Sequence, residues 1–322
     1  MKSGADSEIG AGVSPFGEDG EMRIDLAEPL PVHRAPVQWY GGKGNMLGRL
    51  LPLVPAGGRP YCEPYCGAAS LFWSRPAAPV EVLNDMHADL IGLFRCLQDR
   101  AQFDDLKHRL TWTLYSRAEF ARALEIHASA EADPVTRAWA FFVLKNQGFA
   151  GRSKTVGNWG RNFSSDGGMA HCANKWLMRQ CLLDAWRLRI ARVQIDQRDA
   201  LDVLRYWDGP DAVFYIDPPY PAGTRAKGAT KTYRHEADDA HHAALVETLL
   251  SLHGAAVVSS YAGAIYAPLE AAGWERIDFQ TACHAAGRVR GSGLQGAGAA
   301  TKKVPRTEVV WRNPRAVELT TP

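Results

Sequence analysis

The sequence predicts an α/β fold: a Rossmann-like, mostly parallel sheet with helices on both faces, plus a mainly helical insertion. Three observations predict it. Short apolar runs at 59–63, 80–83, 213–216 and 255–260 have the length of buried strands. The first three run directly into turn formers: Pro64 and Gly67, then Asn84-Asp85, then Asp217-Pro218-Pro219. A helix-patterned stretch, 239–253, precedes the fourth run, and strands alternating with helices build parallel sheets covered on both sides.

In chain order, residues 1–30 hold seven acids and two bases among Gly and Ser with no sustained period, and are expected to form a flexible acidic tail that ends near 35. The strand 59–63 leads through a Gly-containing loop into a helix, and 80–83 follows as the next strand. From about 93 to 195 the pattern turns helical. Helices are expected over 100–126, 134–147 and 175–192, the last capped by Asn174. Trp139, Phe141 and Phe142 are expected in the core. Between these helices, 148–173 is rich in Gly, Ser and Asn; loops of that length are uncommon in a compact domain and are often functional. In 239–253, Asp238 or Asp239 is the expected N-cap, Gly254 the C′ residue, and Leu245, Leu249, Leu250 and Leu252 the apolar side, with His241-His242 expected exposed. The expected organisation is a tail (1–35), an α/β domain from 36–92 and 196–316, and a helical insertion (93–195).

Composition is ordinary for a globular protein: 322 residues, 46% hydrophobic and 22% charged. No apolar run approaches the ~20 residues that span a bilayer. The first residues lack a basic-then-apolar pattern, so no secretory signal is expected, and six Cys are too few for a disulfide scaffold; reduced thiols in the cytoplasm are the expectation. Cys62 and Cys66 have no second pair at zinc-ligand spacing and are read as core thiols, with no metal site. The formal charge of +2 conceals clustering: residues 137–198 carry eleven Lys/Arg against three Asp, and 283–315 seven bases against one acid. Such clusters fit a polyanion partner, although a solvated basic surface accounts for charge alone equally well.

Asp217-Pro218-Pro219-Tyr220, directly after the run VFYI, carries the strongest chemical signal. Residues just past a parallel strand face the ligand crevice. An aryl amine is a poor nucleophile because its lone pair is delocalised into the ring. Asp217 and the Pro218 carbonyl can each accept one N–H, which directs the lone pair toward an electrophile. Pro218 and Pro219 fix the backbone, and Tyr220 offers a face for a planar base. In Glu63-Pro64-Tyr65-Cys66-Gly67-Ala68-Ala69-Ser70, Gly67 permits close backbone approach before a helix N-terminus, and Glu63 is wrong for phosphate but right for an ammonium group. Asp85 stands at the end of the next strand, where nucleotide-binding α/β folds place an acid for ribose hydroxyls. Trp39-Tyr40-Gly41-Gly42-Lys43 lacks the full phosphate-loop pattern; it supplies a stacking face, close approach and a cation.

Together, and in this order, these segments resemble the Dam-type (D12 class, alpha order) DNA adenine-N6 methyltransferases over about 37–313, with 307–313 similar to that family's closing strand. The resemblance implies a class I methyltransferase fold and methyl transfer from S-adenosylmethionine to adenine N6 in double-stranded DNA, by direct in-line displacement on a flipped base. It places Trp39, Tyr40, Gly41, Gly42, Lys43, Glu63, Pro64, Gly67, Ser70, Asn84, Asp85, Asp199 and Asp217 at the donor, 217–220 at the reacting amine, and Ser259-Ser260-Tyr261 beside the pocket. The chain departs from the family at Ala69, where a second Gly is usual, and over 149–163, which fits the Dam recognition region only loosely, so no recognition sequence is read. Arg152, Lys154, Asn158, Trp159, Arg161 and Asn162 are the DNA-reading candidates of the insertion, with Arg179, Arg187 and Arg189 as further phosphate contacts. The expected partner is double-stranded DNA, with a cognate restriction endonuclease not deducible and the chain a monomer or weak dimer. Two alternatives stay open: another planar nitrogen as acceptor (cytosine N4, RNA or a glutamine amide), and a non-catalytic DNA-binding module with a degenerate donor pocket.

Overall fold

The computed structural model of the chain describes residues 31–149, 156–161, 163–166, 168–220, 238–282 and 305–321. The acidic segment 1–30 lies outside them, as do Arg152, Lys154 and Asn162. The strands in chain order are β1 (Tyr61–Glu63), β2 (Glu81–Asn84), β3 (Ser165–Asp166), β4 (Met169–Ala170), β5 (Gln194–Asp196), β6 (Val213–Ile216), β7 (Ala255–Tyr261), β8 (Glu275–Ala282) and β9 (Pro305–Arg312). β3 and β4 form a small antiparallel ladder of their own; the other seven form one sheet in the order β5-β2-β1-β6-β7-β9-β8. Every neighbouring pair from β5 to β7 is parallel, while β9 runs antiparallel to both β7 and β8. The four expected strands are all present. β5 escaped the sequence reading because Gln194–Asp196 is a short, half-exposed edge strand with no apolar run.

Period-two alternation sorts the strand side chains onto the two faces. Tyr61, Leu83, Val213, Tyr215, Val257 and Val310 pack into one apolar cluster, and Cys62, Val82, Phe214, Ile216, Val258 and Trp311 into the other. Both Cys62 and Cys66 are buried, as expected of core thiols. Helices α1 (Leu47–Leu50), α2 (Ser70–Ser74), α3 (Ala88–Gln98), α4 (Arg100–Thr111), α5 (Arg117–Ala128), α6 (Pro134–Gln147), α7 (His171–Gln180) and α8 (Leu183–Ile190) contribute to the first cluster or flank it. α9 (Ala200–Trp207), α10 (Asp239–Ser251) and α11 (Ala267–Ala271) cover the second, and α12 (Pro314–Thr320) returns to the first through Ala316. α6 is the hub of the helical segment: Trp139, Phe141 and Phe142 are buried, and α3, α4 and α5 all pack against it.

Four local expectations are corrected. The helix expected over 100–126 is two helices, because Ser116 caps α5 by accepting the Glu119 N–H at 3.1 Å, a start signal legible as Ser116-Arg117-Ala118-Glu119. Asn174 caps nothing: α7 starts at His171, and a break at 181–182 separates it from α8. Gly254 is not the C′ residue of α10, which ends in extended backbone at Leu252. It stands instead where a Cβ would come 2.7 Å from the Ala212 carbonyl oxygen, so glycine lets the entry to β7 pass close to the entry to β6. His242 is fully buried, bonding the Tyr266 hydroxyl through Nδ1 at 2.9 Å. Among the described residues no helix is long and apolar enough to cross a membrane.

Arg189 and Arg179 are corrected as well. Arg189 has no exposed surface: its guanidinium chelates Glu81 in β2, donates to the Phe72 carbonyl at 3.2 Å, and lies 3.9 Å from the centre of the Phe72 ring. Arg179 is also buried. Both were misread as surface residues because an Arg spaced along an amphipathic helix reads the same in sequence whether it points outward or into the core.

Candidate active site at the carboxyl ends of the strands

The parallel strands β1, β2, β5 and β6 all end on one edge of the sheet, and strand order reverses between β1 and β6. At such a switch point the loops diverge and leave a crevice. Here the crevice is a cleft of about 280 Å³, near the lower end of the size usual for small-molecule sites. Its lining includes Trp39, Tyr40, Gly41, Gly42, Lys43, Glu63, Pro64, Gly67, Ser70, Asn84, Asp85 and Asp199, together with Asp217, Pro218, Pro219 and Tyr220. Segments as far apart in the chain as Trp39 and His241 thus meet around one cavity.

The loop after β1 is fastened from below. The Asp85 carboxylate accepts the Gly67 N–H at 2.9 Å and the His87 N–H at 2.8 Å. Asn84 donates to the Pro64 and Arg198 carbonyls and accepts the Arg198 N–H at 2.9 Å, tying the ends of β1, β2 and β5 together. Asp199 caps α9, accepting the Leu201 N–H at 2.8 Å. Ala69, where the resembled family usually has glycine, adopts the left-handed conformation (φ +56°, ψ +44°), so the turn into α2 keeps a glycine-like path at a strain of ~1 kcal/mol. Gly67 is also left-handed (φ +48°), and a Cβ there would come 2.8 Å from Trp39 Nε1. Gly67→Ala is therefore expected to lower the unfolding free energy by ~1–3 kcal/mol, measured by urea denaturation; a variant as stable as the parent would mean that the loop has room to spare.

Trp39 forms one wall. Its ring meets His87 edge-on at 5.2 Å and Phe141 of α6 at 6.5 Å, and the Lys145 ammonium lies 4.9 Å from its centre. Burial pushes the Lys145 ammonium below its ordinary range. Glu63 lies at the cleft floor, accepting the Tyr61 hydroxyl at 2.7 Å and the Phe72 N–H at 2.8 Å. Burial outweighs those bonds and the nearby Arg75, and the carboxyl is pushed up to about 7.

Opposite stands a charged cluster. The Lys43 ammonium donates to Asp217 Oδ1 at 2.6 Å and to the Tyr220 hydroxyl, and lies 3.0 Å from Glu308 Oε1. The Tyr220 hydroxyl donates to Glu308 Oε1 at 2.6 Å, and Ser259 donates to Asp217 Oδ1 at 3.0 Å. Burial opposes the charge on Lys43, but Asp217 and Glu308 outweigh it and its pKa is raised. Asp217 is raised too, by burial first, with Lys43 opposing and Glu308 adding to the shift. The Tyr220 ring packs against Tyr261 at 4.2 Å and 45°. Such a cluster, with one acid facing a cleft, can accept hydrogen bonds from a polar group of a ligand.

Sequence reading missed several of these residues. Glu308 comes from β9 and supplies a second acid; its only signal was an acid inside the apolar run of 307–311. His241, expected exposed, is half-buried in the cleft wall and bonds the Tyr65 hydroxyl through Nε2 at 2.7 Å. Ser259, expected beside the pocket, lies in β7 outside the cleft lining and donates to Asp217. Asn158, Trp159 and Arg161 are not among the cleft residues. Trp159 packs on Tyr115 at 5.4 Å and pairs with Gly148 in an isolated bridge, while Arg161 is exposed.

Comparison with known proteins extends this geometry. Over 251 residues the chain is 26% identical to a DNA N-6-adenine-methyltransferase of Escherichia phage P1, an alignment that covers 77% of this chain and 32% of that protein. Over 131 residues it is 28% identical to the Type II methyltransferase M.CviBI of Paramecium bursaria Chlorella virus NC1A, covering 39% of this chain and 47% of that one. The chain thus spans about a third and about half the length of these curated relatives. The family model described as D12 class N6 adenine-specific DNA methyltransferase matches residues 39–273, from the Trp39 wall to beyond β7 and well over half the chain. The seven-stranded sheet with its reversed β9 is of the class I methyltransferase kind, and on that match the chain belongs to the D12 class of N6 adenine-specific DNA methyltransferases.

Proposed function

We propose that this chain transfers a methyl group from S-adenosylmethionine to N6 of an adenine in double-stranded DNA, with the base turned out of the helix into the cleft. One observation carries the reading: Asp217 and Pro218, at the end of β6, open onto the same cleft as the Glu63–Gly67 loop and Asp85.

The cleft suits this donor by the chemistry of its lining. Among the described residues, four acids (Glu63, Asp85, Asp199, Asp217) line it against one lysine, Lys43, a balance that favours a ligand with positive charge. Glu63, held near 7 by burial, would be fully ionised again by an ammonium group set beside it. Trp39 offers a flat wall for a planar ring. When bound, S-adenosylmethionine supplies an electrophilic methyl group on a sulfonium.

The chain's own residues prepare the nucleophile. Asp217 accepts one N–H of the target amino group and the Pro218 carbonyl the other, which takes the nitrogen out of conjugation with its ring. The Tyr220 ring, fixed from behind by Tyr261 and at its hydroxyl by Glu308 and Lys43, provides the surface against which the base stacks. The helical segment 93–195, with its excess of positive charge over 137–198, is read as the part that grips and reads the duplex.

Incubation of the chain with tritiated S-adenosylmethionine and an adenine-containing duplex, followed by digestion to nucleosides, tests the reading. The label is expected in N6-methyladenine. Label in N4-methylcytosine, in RNA alone or in protein, or no transfer at all, would overturn it.

A further inference from the structure

Glu308 stands outside the family-matched segment 39–273, yet it is part of the cluster that engages Asp217. It is the only carboxylate that β9 brings to this cluster among the described residues, and it is buried. One of its oxygens serves two partners, the Lys43 ammonium at 3.0 Å and the Tyr220 hydroxyl at 2.6 Å. Lys43 in turn divides itself between Asp217 Oδ1 and Glu308 Oε1.

That division matters for the reaction. In the structure Asp217 Oδ1 already accepts from Lys43 at 2.6 Å and from Ser259 at 3.0 Å. An incoming N–H directed at this oxygen competes with Lys43 there. A lysine with Asp217 as its sole partner would become an unpaired buried cation on letting go, which is strongly unfavourable. A second carboxylate already in contact removes that penalty.

We propose that Glu308 is a positioning residue: it keeps Lys43 paired while Lys43 releases Asp217 to the target amino group, and it holds the Tyr220 hydroxyl so that the ring stays in place for the base. The inference rests on the reading that Asp217 accepts an N–H of the substrate. Glu308→Gln keeps the shape and a hydrogen-bond acceptor but cannot balance the ammonium, so Lys43 stays clamped on Asp217.

The test is a double-mutant cycle in single-turnover methyl transfer, with the Kd for S-adenosylmethionine measured on each protein by calorimetry. Glu308→Gln is expected to transfer at least tenfold more slowly than wild type while binding the donor within threefold. In a Lys43→Met background, where no cation needs a partner, the same substitution is expected to add less than a threefold loss. A Glu308→Gln rate less than tenfold below wild type, a parallel loss of donor affinity, or a further loss of threefold or more in the Lys43→Met background would overturn the proposal. Should Glu308→Gln fail to fold, the comparison of Lys43→Met/Glu308→Gln with Lys43→Met decides by the same threefold criterion. Failure of the wild type to form N6-methyladenine would instead count against the functional reading, and the wild-type arm reveals it before any variant is compared.

Discussion

Asp217→Ala is expected to slow methyl transfer about a thousandfold, equivalent to ~4 kcal/mol of transition-state stabilisation. In the proposed reaction the methyl carbon is attacked by a nitrogen whose lone pair is committed to its ring, and Asp217, which lines the cleft at the end of β6, is the proposed acceptor of one of its N–H groups. Affinity for DNA is expected to persist, since the basic segment 137–198 is untouched. So is the fold, and the electrostatics give that expectation a sign. Burial and Glu308 raise the Asp217 pKa above its unfolded value despite Lys43. A carboxyl with a raised folded pKa favours the folded state while protonated and loses that contribution as pH climbs through the folded pKa. The fold therefore holds the carboxylate form of Asp217 less well than the protonated form, and removing the side chain should leave the melting temperature equal or higher. Lys43 keeps Glu308 as its partner in the variant. Single-turnover kinetics beside a thermal melt make the test: a near-normal rate would refute the assigned role, and a collapse in melting temperature would refute the electrostatic account.

Arg189→Ala carries the largest expected effect on stability, a loss of ~3–5 kcal/mol in urea unfolding. The substitution strands Glu81, itself 1% exposed, in a cluster that includes Phe72 and Trp73. The pair fastens α8 to the start of β2 and, through the Phe72 carbonyl, to α2, the helix that follows the Glu63–Gly67 loop. Arg189→Met combined with Glu81→Leu removes both charges at similar volume and should recover most of the loss, because the energetic harm lies in leaving one charge alone. A double variant no more stable than Arg189→Ala would place the effect in packing instead. The fall in stability should come with no change in the salt dependence of DNA binding, since Arg189 has no surface from which to meet a phosphate.

These two residues mark where sequence reading reached and where it stopped. Asp217 was legible because a four-residue apolar strand followed by Asp-Pro-Pro-Tyr is a local pattern, and its chemistry lies in the residues themselves. Gly67 and Asp85 were legible for the same reason, each at the end of a strand. Arg189 was misread because charge is visible in sequence and burial is not. The helix over 100–126 was read too long because apolar spacing continues past Thr111 while the chain turns at Thr113, whose carbonyl accepts the Trp176 indole at 2.8 Å and whose hydroxyl accepts that of Trp139 at the same distance. Distant partners hold that turn, although the start of α5 just after it carried its own local signal in Ser116 and Glu119.

Sequence by itself determined the alternation of strands and helices and the chain order of the motifs around Trp39, Glu63, Asp85 and Asp217. The tertiary structure alone decided that Glu308 completes their cluster. β9 runs against β7, so its beginning lies beside the end of β7, with Glu308 opposite Tyr261. The direction of a strand depends on which neighbour offers its backbone hydrogen bonds, a choice made by packing across the whole sheet and written in no single stretch of residues.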